Sequence, residues 1–84
     1  MTFGEALASV KNGAKISRDG WNGKKQYVQI ATHISFQLPD GTIINAEHKT
    51  SGNSALAFFG TNGIQLGWLA SQSDMLSDDW YIVY

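Results

Sequence analysis

Residues 2–13 read TFGEALASVKNG, and this segment contains three independent signals of a helix. Thr2 and Glu5 stand three residues apart, the spacing at which a hydroxyl and a carboxylate each accept a hydrogen bond from a backbone amide at a helix start. The apolar residues that follow recur at helical spacing, and Asn12-Gly13 is a typical left-handed stop. The sequence therefore predicts a helix from about residue 3 to residue 12, with an apolar stripe that needs a surface to pack on.

Downstream of this helix, short β-prone segments alternate with turn residues. Asp19-Gly20, Pro39-Asp40-Gly41 and Asn62-Gly63 are turn signals because proline presets φ and glycine accepts the left-handed conformation. The polar stretch 47–54 predicts a surface loop. The pattern predicts antiparallel strands at residues 14–18, 26–31, 34–38, 42–46, 55–60, 64–68 and 80–84.

A short helical segment is predicted before the last strand, at residues 71–76. Ser71 or Ser73 is its N-cap, and Asp74 falls in the first turn, where a negative charge suits the helix dipole. Residues 1–84 form one domain. The predicted fold class is α+β, with the N-terminal helix packed on an antiparallel sheet of short hairpin strands.

Length and composition limit how this chain is stabilised. A chain of 84 residues buries only about 60 to 65% of its unfolded surface, so it is marginal as a lone monomer. It has no cysteine and only two histidines, far apart in sequence, which excludes disulfides and gives no metal-binding pattern. Homo-oligomerisation is therefore the expected extra source of stability.

The charge balance argues against several classes of partner. Six basic and seven acidic residues give no field that would hold a long nucleic acid, although a small anion needs only one or two cations. The chain has no apolar run of about 20 residues, the length that a membrane span requires. We expect a cytoplasmic protein that binds neither long nucleic acid nor membrane.

Tryptophan-rich segments are the candidate recognition elements. Trp68 and Trp80 frame a polar and acidic stretch, and Trp21 lies within Gly20-Trp21-Asn22-Gly23. An indole can stack on a base, and an amide can donate and accept at one base edge. Each tryptophan can equally be core. Trp80 is expected to be a core residue. For Trp21 and Trp68 the sequence is consistent with a core residue and with a ligand-binding residue.

Catalytic equipment is sparse. His33 and His48 lie in no nucleophile or metal motif and are read as ordinary surface or edge residues. Arg18 is the sole arginine and precedes Trp21, so it is either the fork-shaped partner of a phosphate or a solvated strand residue.

Blocks of the chain, taken in order, resemble the phage Thoeris anti-defence proteins of the second type. Between residues 33 and 66 the resemblance is limited to strand-and-turn character, and Gly67 stands where that family is expected to have proline. The blocks are FGEAL at 3–7, NG at 12–13, GWNG at 20–23, WLASQSDML at 68–76 and DW at 79–80.

The resemblance implies a non-catalytic protein that sequesters nucleotide second messengers. Proteins of that family bind glycocyclic ADP-ribose, and some also bind the cyclic dinucleotides of CBASS, which deprives the defence effector of its activator. It further implies a homo-oligomer, dimer or tetramer, with pockets at the protomer interfaces. We expect a small cyclic nucleotide as ligand, no enzyme activity, no cofactor and no metal. The alternative is a phage-encoded structural or protein-binding module that uses the same Trp-rich surface.

The expected ligand-binding residues combine indoles for a base with polar groups for phosphate and ribose. Asp74 would repel phosphate, so its expected role is to accept from ribose hydroxyls or to orient Arg18. The full set is Arg18, Trp21, Asn22, Trp68, Ser71, Gln72, Asp74 and Met75.

Overall fold

Two helices and seven strands make up the computed structural model, which describes residues 1–21 and 25–84. The predicted α+β class is confirmed. The elements in chain order are α1 (Phe3–Lys11), β1 (Lys15–Arg18), β2 (Tyr27–Ala31), β3 (Phe36–Gln37), β4 (Ile43–Ile44), β5 (Ala55–Gly60), β6 (Gly63–Leu66), α2 (Gln72–Leu76) and β7 (Trp80–Val83).

Both helices begin with a capping box. At α1, the amide of Glu5 donates to Thr2 Oγ1 and the amide of Thr2 donates to Glu5 Oε1. At α2, the amide of Asp74 donates to Ser71 Oγ, and the amide of Ser71 donates to Asp74 Oδ2. Ser71, and not Ser73, is therefore the N-cap. These reciprocal bonds satisfy amides that a helix start leaves without intrahelical partners.

Five strands form an antiparallel sheet in the order β6-β5-β2-β1-β7. Ile16 pairs with Val28 and with Ile82, and Val28 pairs with Phe58. Paired residues point to the same side of a sheet, so this row defines a front face. The buried core lies on the front face and consists of Ala6, Val10, Ile16, Val28 and Trp80.

A loop and a two-stranded ribbon join β2 to β5. The strands predicted at 34–38 and 42–46 are reduced to β3 and β4, of two residues each. His33, read from the sequence as a surface or edge residue, has a φ of 56° and lies at a bend between β2 and β3. The Asn45 side chain explains the difference, because it donates to the carbonyls of Ile34 and Thr50 and so diverts the backbone from a longer ladder.

The strand predicted at 64–68 ends at Leu66. Gly67 takes a φ of 83°, and the amides of Gly67 and Trp68 both donate to the carbonyl of Leu56. Glycine adopts this left-handed conformation more readily than residues with a side chain. The turn directs Trp68 back onto the front face, where it packs against the core.

Candidate functional site

The turn from Arg18 to Trp21 is fixed by Asp79. Arg18 Nε donates to Asp79 Oδ1 at 2.8 Å, and the Gly20 amide donates to Asp79 Oδ2 at 2.8 Å. A side chain at Gly20 would collide with this arrangement, since a Cβ there would lie 2.9 Å from Asp79 Oδ2. The tight turn and its glycine therefore bring the indole of Trp21 to the front face.

Asp74 is the second anchor of this turn. Its Oδ1 accepts from Arg18 Nη1 at 2.8 Å and from Trp21 Nε1 at 3.1 Å. Its backbone carbonyl accepts from Trp80 Nε1 at 2.8 Å. The side chains of Arg18 and Asp74 are only 13% and 12% exposed, so this ion pair is largely shielded from water. One carboxylate thus joins β1, the 18–21 turn and α2.

The ion network changes the acidity of its members. Burial raises the pKa of Asp74, but hydrogen bonds from Ser71, Trp21 and Arg18 outweigh burial, so the pKa lies below its ordinary value. The pKa of Asp79 is also lowered, chiefly by its hydrogen bond from Arg18. The pKa of Arg18 is raised by its bonds to Asp79 and then to Asp74. All three groups are therefore charged at neutral pH.

These pKa shifts predict acid sensitivity. A carboxylate with a lowered pKa in the folded state stabilises that state above its unfolded pKa, and the contribution is lost as pH falls through the folded value. For Asp74, whose ordinary pKa is 3.8, the loss is expected below about pH 4. Chemical denaturation between about pH 7 and pH 2.5 should show this decline. Asp74→Asn should show a shallower decline, and an equal slope would contradict the role of Asp74.

An aromatic cluster covers the front face beside this network. Trp21 meets Phe58, Trp68 and Trp80 edge-on, at ring-centroid distances of 5.3, 6.0 and 5.3 Å. Phe58 and Trp68 lie nearly parallel, 6.2 Å apart. Such edge and offset arrangements suit the ring quadrupoles. Trp80 is buried as expected, whereas Trp21 and Trp68 are partly buried, so both pack on the core and retain an accessible part.

A groove of about 400 Å³ adjoins the cluster at the turn end of the β5–β6 hairpin. Phe58 belongs to both, so it joins groove and cluster. Gly60 and Gly63 pair across the hairpin and expose backbone in the groove. A Cβ at Gly60 would lie 2.8 Å from the Phe58 ring, so glycine is required for the position of that ring. The lining residues are Gln26, Phe58, Gly60, Thr61, Asn62, Gly63, Ile64 and Gln65.

This lining has a definite chemistry. Three side-chain amides, from Gln26, Asn62 and Gln65, can each donate and accept hydrogen bonds, and Phe58 offers an aromatic surface. Among residues 1–21 and 25–84, those that line the groove carry no charge. The volume lies within the range of small-molecule sites, roughly 300 to 1,000 Å³. The groove therefore suits a neutral, planar, hydrogen-bonding group.

The structure brings five of the eight predicted site residues together. Arg18, Trp21, Trp68, Ser71 and Asp74 lie in the ion network and the aromatic cluster. Gln72 and Met75 are exposed on α2. Asn22 lies outside the described residues. None of the seven described ones is among the residues that line the groove, and a ligand role for each of the eight stays a prediction.

The contact between Asp74 and Arg18 agrees with one of the two roles expected for Asp74, whereas the bonds of Asp79 to Arg18 and of Asp74 to Trp21 were not predicted. Arg18 is not a solvated strand residue, because its guanidinium is held by two aspartates. Trp21 is held by Asp74 through its indole N–H. Asp79 and Phe58 were missed as partners. No local pattern marks either residue, since Asp79 lies 61 positions from Arg18 and Phe58 looks like an ordinary strand residue.

The part of the chain that the structure describes shows few other candidate sites. No group of three or more His, Cys, Asp or Glu residues there could hold a metal ion. His48 Nδ1 lies 2.8 Å from the carbonyl oxygen of His33, a contact within the 32–54 loop. Among these residues no helix has the length and apolar character of a membrane span.

Fold and site together define a small α+β domain that presents an aromatic cluster and a polar groove on one face of its sheet. The chain belongs to the Thoeris anti-defense 2-like domain family, which it matches over residues 1–83. Thoeris anti-defense 2 of Bacillus phage SP01 is 37% identical to it over 87 residues, covering 99% of this chain and 94% of that protein. The resemblance seen in the sequence blocks is thereby confirmed.

Proposed function

We propose that this protein opposes antiphage defence by sequestering a nucleotide second messenger without altering it chemically. Glycocyclic ADP-ribose is the first ligand, and the cyclic dinucleotides of CBASS are a second class. The family to which the chain belongs supports the anti-defence role. The observation that supports a nucleotide ligand is the groove beside the aromatic cluster.

The groove supports a nucleotide through its neutral lining. A base can lie against Phe58 while the amides of Gln26 and Gln65 meet its polar edge. Base stacking on an aromatic side chain contributes about 1 to 3 kcal/mol. Sequestration needs nanomolar affinity, about −12 kcal/mol. Most of the free energy must therefore come from phosphate contacts and enclosure.

We propose that the binding pocket is shared between protomers, because a second protomer would enclose the bound nucleotide. The groove is open on its outer side, and an open groove leaves much of a bound nucleotide in water. A second copy placed over the front face would cover it. Arg18, already paired with two aspartates, would contribute to phosphate binding only through N–H groups that these carboxylates leave free.

Thermal denaturation with a ligand panel tests this function. Glycocyclic ADP-ribose isomers and cyclic dinucleotides should raise the melting temperature, with linear ADP-ribose as control. At a free concentration 100 times Kd, the native state gains about 2.7 kcal/mol. For a domain of this size the rise is roughly 10 to 20 °C. Heating the complex should then release the nucleotide intact, as mass spectrometry can show.

Two outcomes would contradict the proposal. Cleavage products that follow the protein through purification would indicate an enzyme. No melting shift with any nucleotide would favour the protein-binding module instead.

A single amide tests the groove itself. Gln65→Ala removes one neutral hydrogen-bonding group from the lining, so Kd should rise about 2- to 10-fold. Isothermal titration calorimetry measures this. Gln37→Ala, at an exposed glutamine of β3, is the matched control and should bind like the unmodified protein. Equal affinity of both variants would remove the groove from the site.

A further inference from the structure

The groove at the β5–β6 turn offers a bound ligand neutral groups. Among residues 1–21 and 25–84, its lining supplies the side-chain amides of Gln26, Asn62 and Gln65, the Thr61 hydroxyl and glycine backbone. These groups form hydrogen bonds with a phosphate oxygen but do not balance its charge. Moving an unbalanced charge out of water is costly, and the Born cost rises with the square of the charge. The number of charges that a phosphate brings to the groove should therefore control binding.

The ion network beside the groove adds repulsion. The ring centroid of Phe58, which lines the groove, lies 5.3 Å from that of Trp21, and Trp21 Nε1 donates to Asp74 Oδ1 at 3.1 Å. In this network the guanidinium of Arg18 pairs with the carboxylates of Asp74 and Asp79, both at 2.8 Å. One positive and two negative charges leave the network with a net charge of −1. The aromatic cluster is thus bordered by negative charge.

Lys25 is the described lysine that stands closest to the groove along the chain. It directly precedes Gln26, is exposed and is not among the lining residues. An exposed ammonium attracts an anion weakly at physiological salt, because water and ions screen its charge. The neutral lining therefore sets how much phosphate charge the groove accepts.

We propose that the groove selects nucleotides whose phosphates are all bridging, with one negative charge each, over nucleotides that end in a terminal phosphate. The inference rests on the proposed function, because it takes the groove to be the nucleotide site. A terminal phosphate has a charge of about −1.5 to −2 at pH 7. Its second charge has no balancing group among the described lining residues. In glycocyclic ADP-ribose and in cyclic dinucleotides every phosphate is bridging.

This selection would protect a sequestering protein from competition. Nucleoside mono-, di- and triphosphates share the base and ribose of the messengers, and each of them ends in a terminal phosphate. A groove that recognised only base and ribose would bind them as well. Rejection through an unbalanced charge discriminates against these competitors without any additional contact to the messenger.

A matched pair of small ligands isolates the effect of charge. Adenosine 5′-monophosphate and its methyl ester have the same base and ribose, but the phosphate of the ester is bridging. Each ligand is titrated into the isotope-labelled chain, and the side-chain amide signals of Gln26, Asn62 and Gln65 report binding in the groove by NMR. The ester is expected to bind with a Kd on the order of 1 mM. At about pH 7.5 the monophosphate should bind roughly tenfold more weakly.

Protonation of the terminal phosphate should remove this difference. Its second pKa is about 6, so at about pH 5 the monophosphate has a single charge, like the ester, and the two Kd values should be nearly equal. Asp74 and Asp79 stay charged there, because the pKa of each lies below its ordinary value of 3.8. The described lining residues have no titratable side chain. Titration elsewhere in the protein affects both ligands alike and cancels in the ratio of their Kd values.

Gln65→Lys supplies the missing positive charge. The side chain of Gln65 is exposed, so the fold should tolerate the substitution, which circular dichroism verifies. At about pH 7.5 the ratio of the two Kd values should fall from about ten to about two or less. Gln37→Lys, at an exposed glutamine of β3, is the matched control and should leave the ratio unchanged. If Gln65→Lys fails to fold, the ligand pair and its pH dependence in the unmodified chain decide.

Three results would overturn the proposal: equal binding of the two ligands at neutral pH, a ratio that acid does not change, or a ratio that a folded Gln65→Lys does not change. If neither ligand shifts the groove amides, the groove is not the nucleotide site and the proposal is wrong as well. The proposed function fails separately. A melting shift with glycocyclic ADP-ribose but equal binding of the two ligands would leave that function standing and remove charge selection. Charge selection without binding of any messenger would do the reverse.

Discussion

Trp80→Ala is expected to lower the free energy of unfolding by about 3 to 5 kcal/mol. Trp80 is 2% exposed and contacts Phe3 and Trp21 at ring-centroid distances of 5.5 and 5.3 Å. Truncation leaves a cavity at the meeting point of α1, β7 and the aromatic cluster. It also removes the donor to the carbonyl of Asp74. Urea denaturation followed by circular dichroism measures the loss.

Two further variants serve as comparisons for Trp80→Ala: one changes Trp80 to a smaller ring without the N–H, and the other truncates an exposed leucine. Trp80→Phe keeps part of the ring and should cost less than the alanine variant, while still losing the bond to the Asp74 carbonyl. Leu69→Ala, at a residue 87% exposed, should change stability by no more than about 0.5 kcal/mol. If Trp80→Ala were no worse than Leu69→Ala, Trp80 would not be a core residue.

Local signals were sufficient for most of the fold. The capping residues Thr2 and Ser71 define helix starts within a few residues, and Asn62-Gly63 correctly indicates the β5–β6 hairpin. The errors arise where side chains from distant positions decide the backbone. Asn45 shortens β3 and β4 through bonds to Ile34 and Thr50, and the residue spacing in that loop contains no such signal.

The candidate site was predictable only as a set of residue types. Trp21 and Trp68 do meet on the front face. Phe58 contacts both of them and connects them to the groove, yet its sequence context is that of an ordinary strand residue. Arg18 and Asp79 lie 61 positions apart. Their pairing depends on β1 lying beside β7, a topology that local patterns do not specify.

Asp74→Ala is expected to destabilise the protein by about 3 to 5 kcal/mol, as when one partner of a buried ion pair is removed. The substitution deprives Arg18 Nη1, Trp21 Nε1 and the Ser71 amide of their acceptor. Donors left unpaired in a shielded position cost more than the bonds themselves contributed. Because one carboxylate serves all three, the 18–21 turn and the start of α2 should loosen together. Thermal and chemical denaturation measure the stability.

Two comparison variants test whether the Asp74 carboxylate itself is responsible for the loss of stability. Asp74→Asn removes only its charge and one acceptor, and Asp78→Ala removes an exposed aspartate as a control. The amide retains one oxygen for Arg18 Nη1 and Trp21 Nε1, but its NH₂ faces the amide of Ser71, so the loss should be intermediate. Asp78 is exposed and its removal should change stability by no more than about 0.5 kcal/mol. Tryptophan fluorescence adds a local readout, since Trp21 released from Asp74 meets more water and its emission should shift to the red. If Asp74→Ala were as stable as Asp78→Ala, with unshifted emission, then packing within the aromatic cluster alone, and not the carboxylate, would fix Trp21 in place.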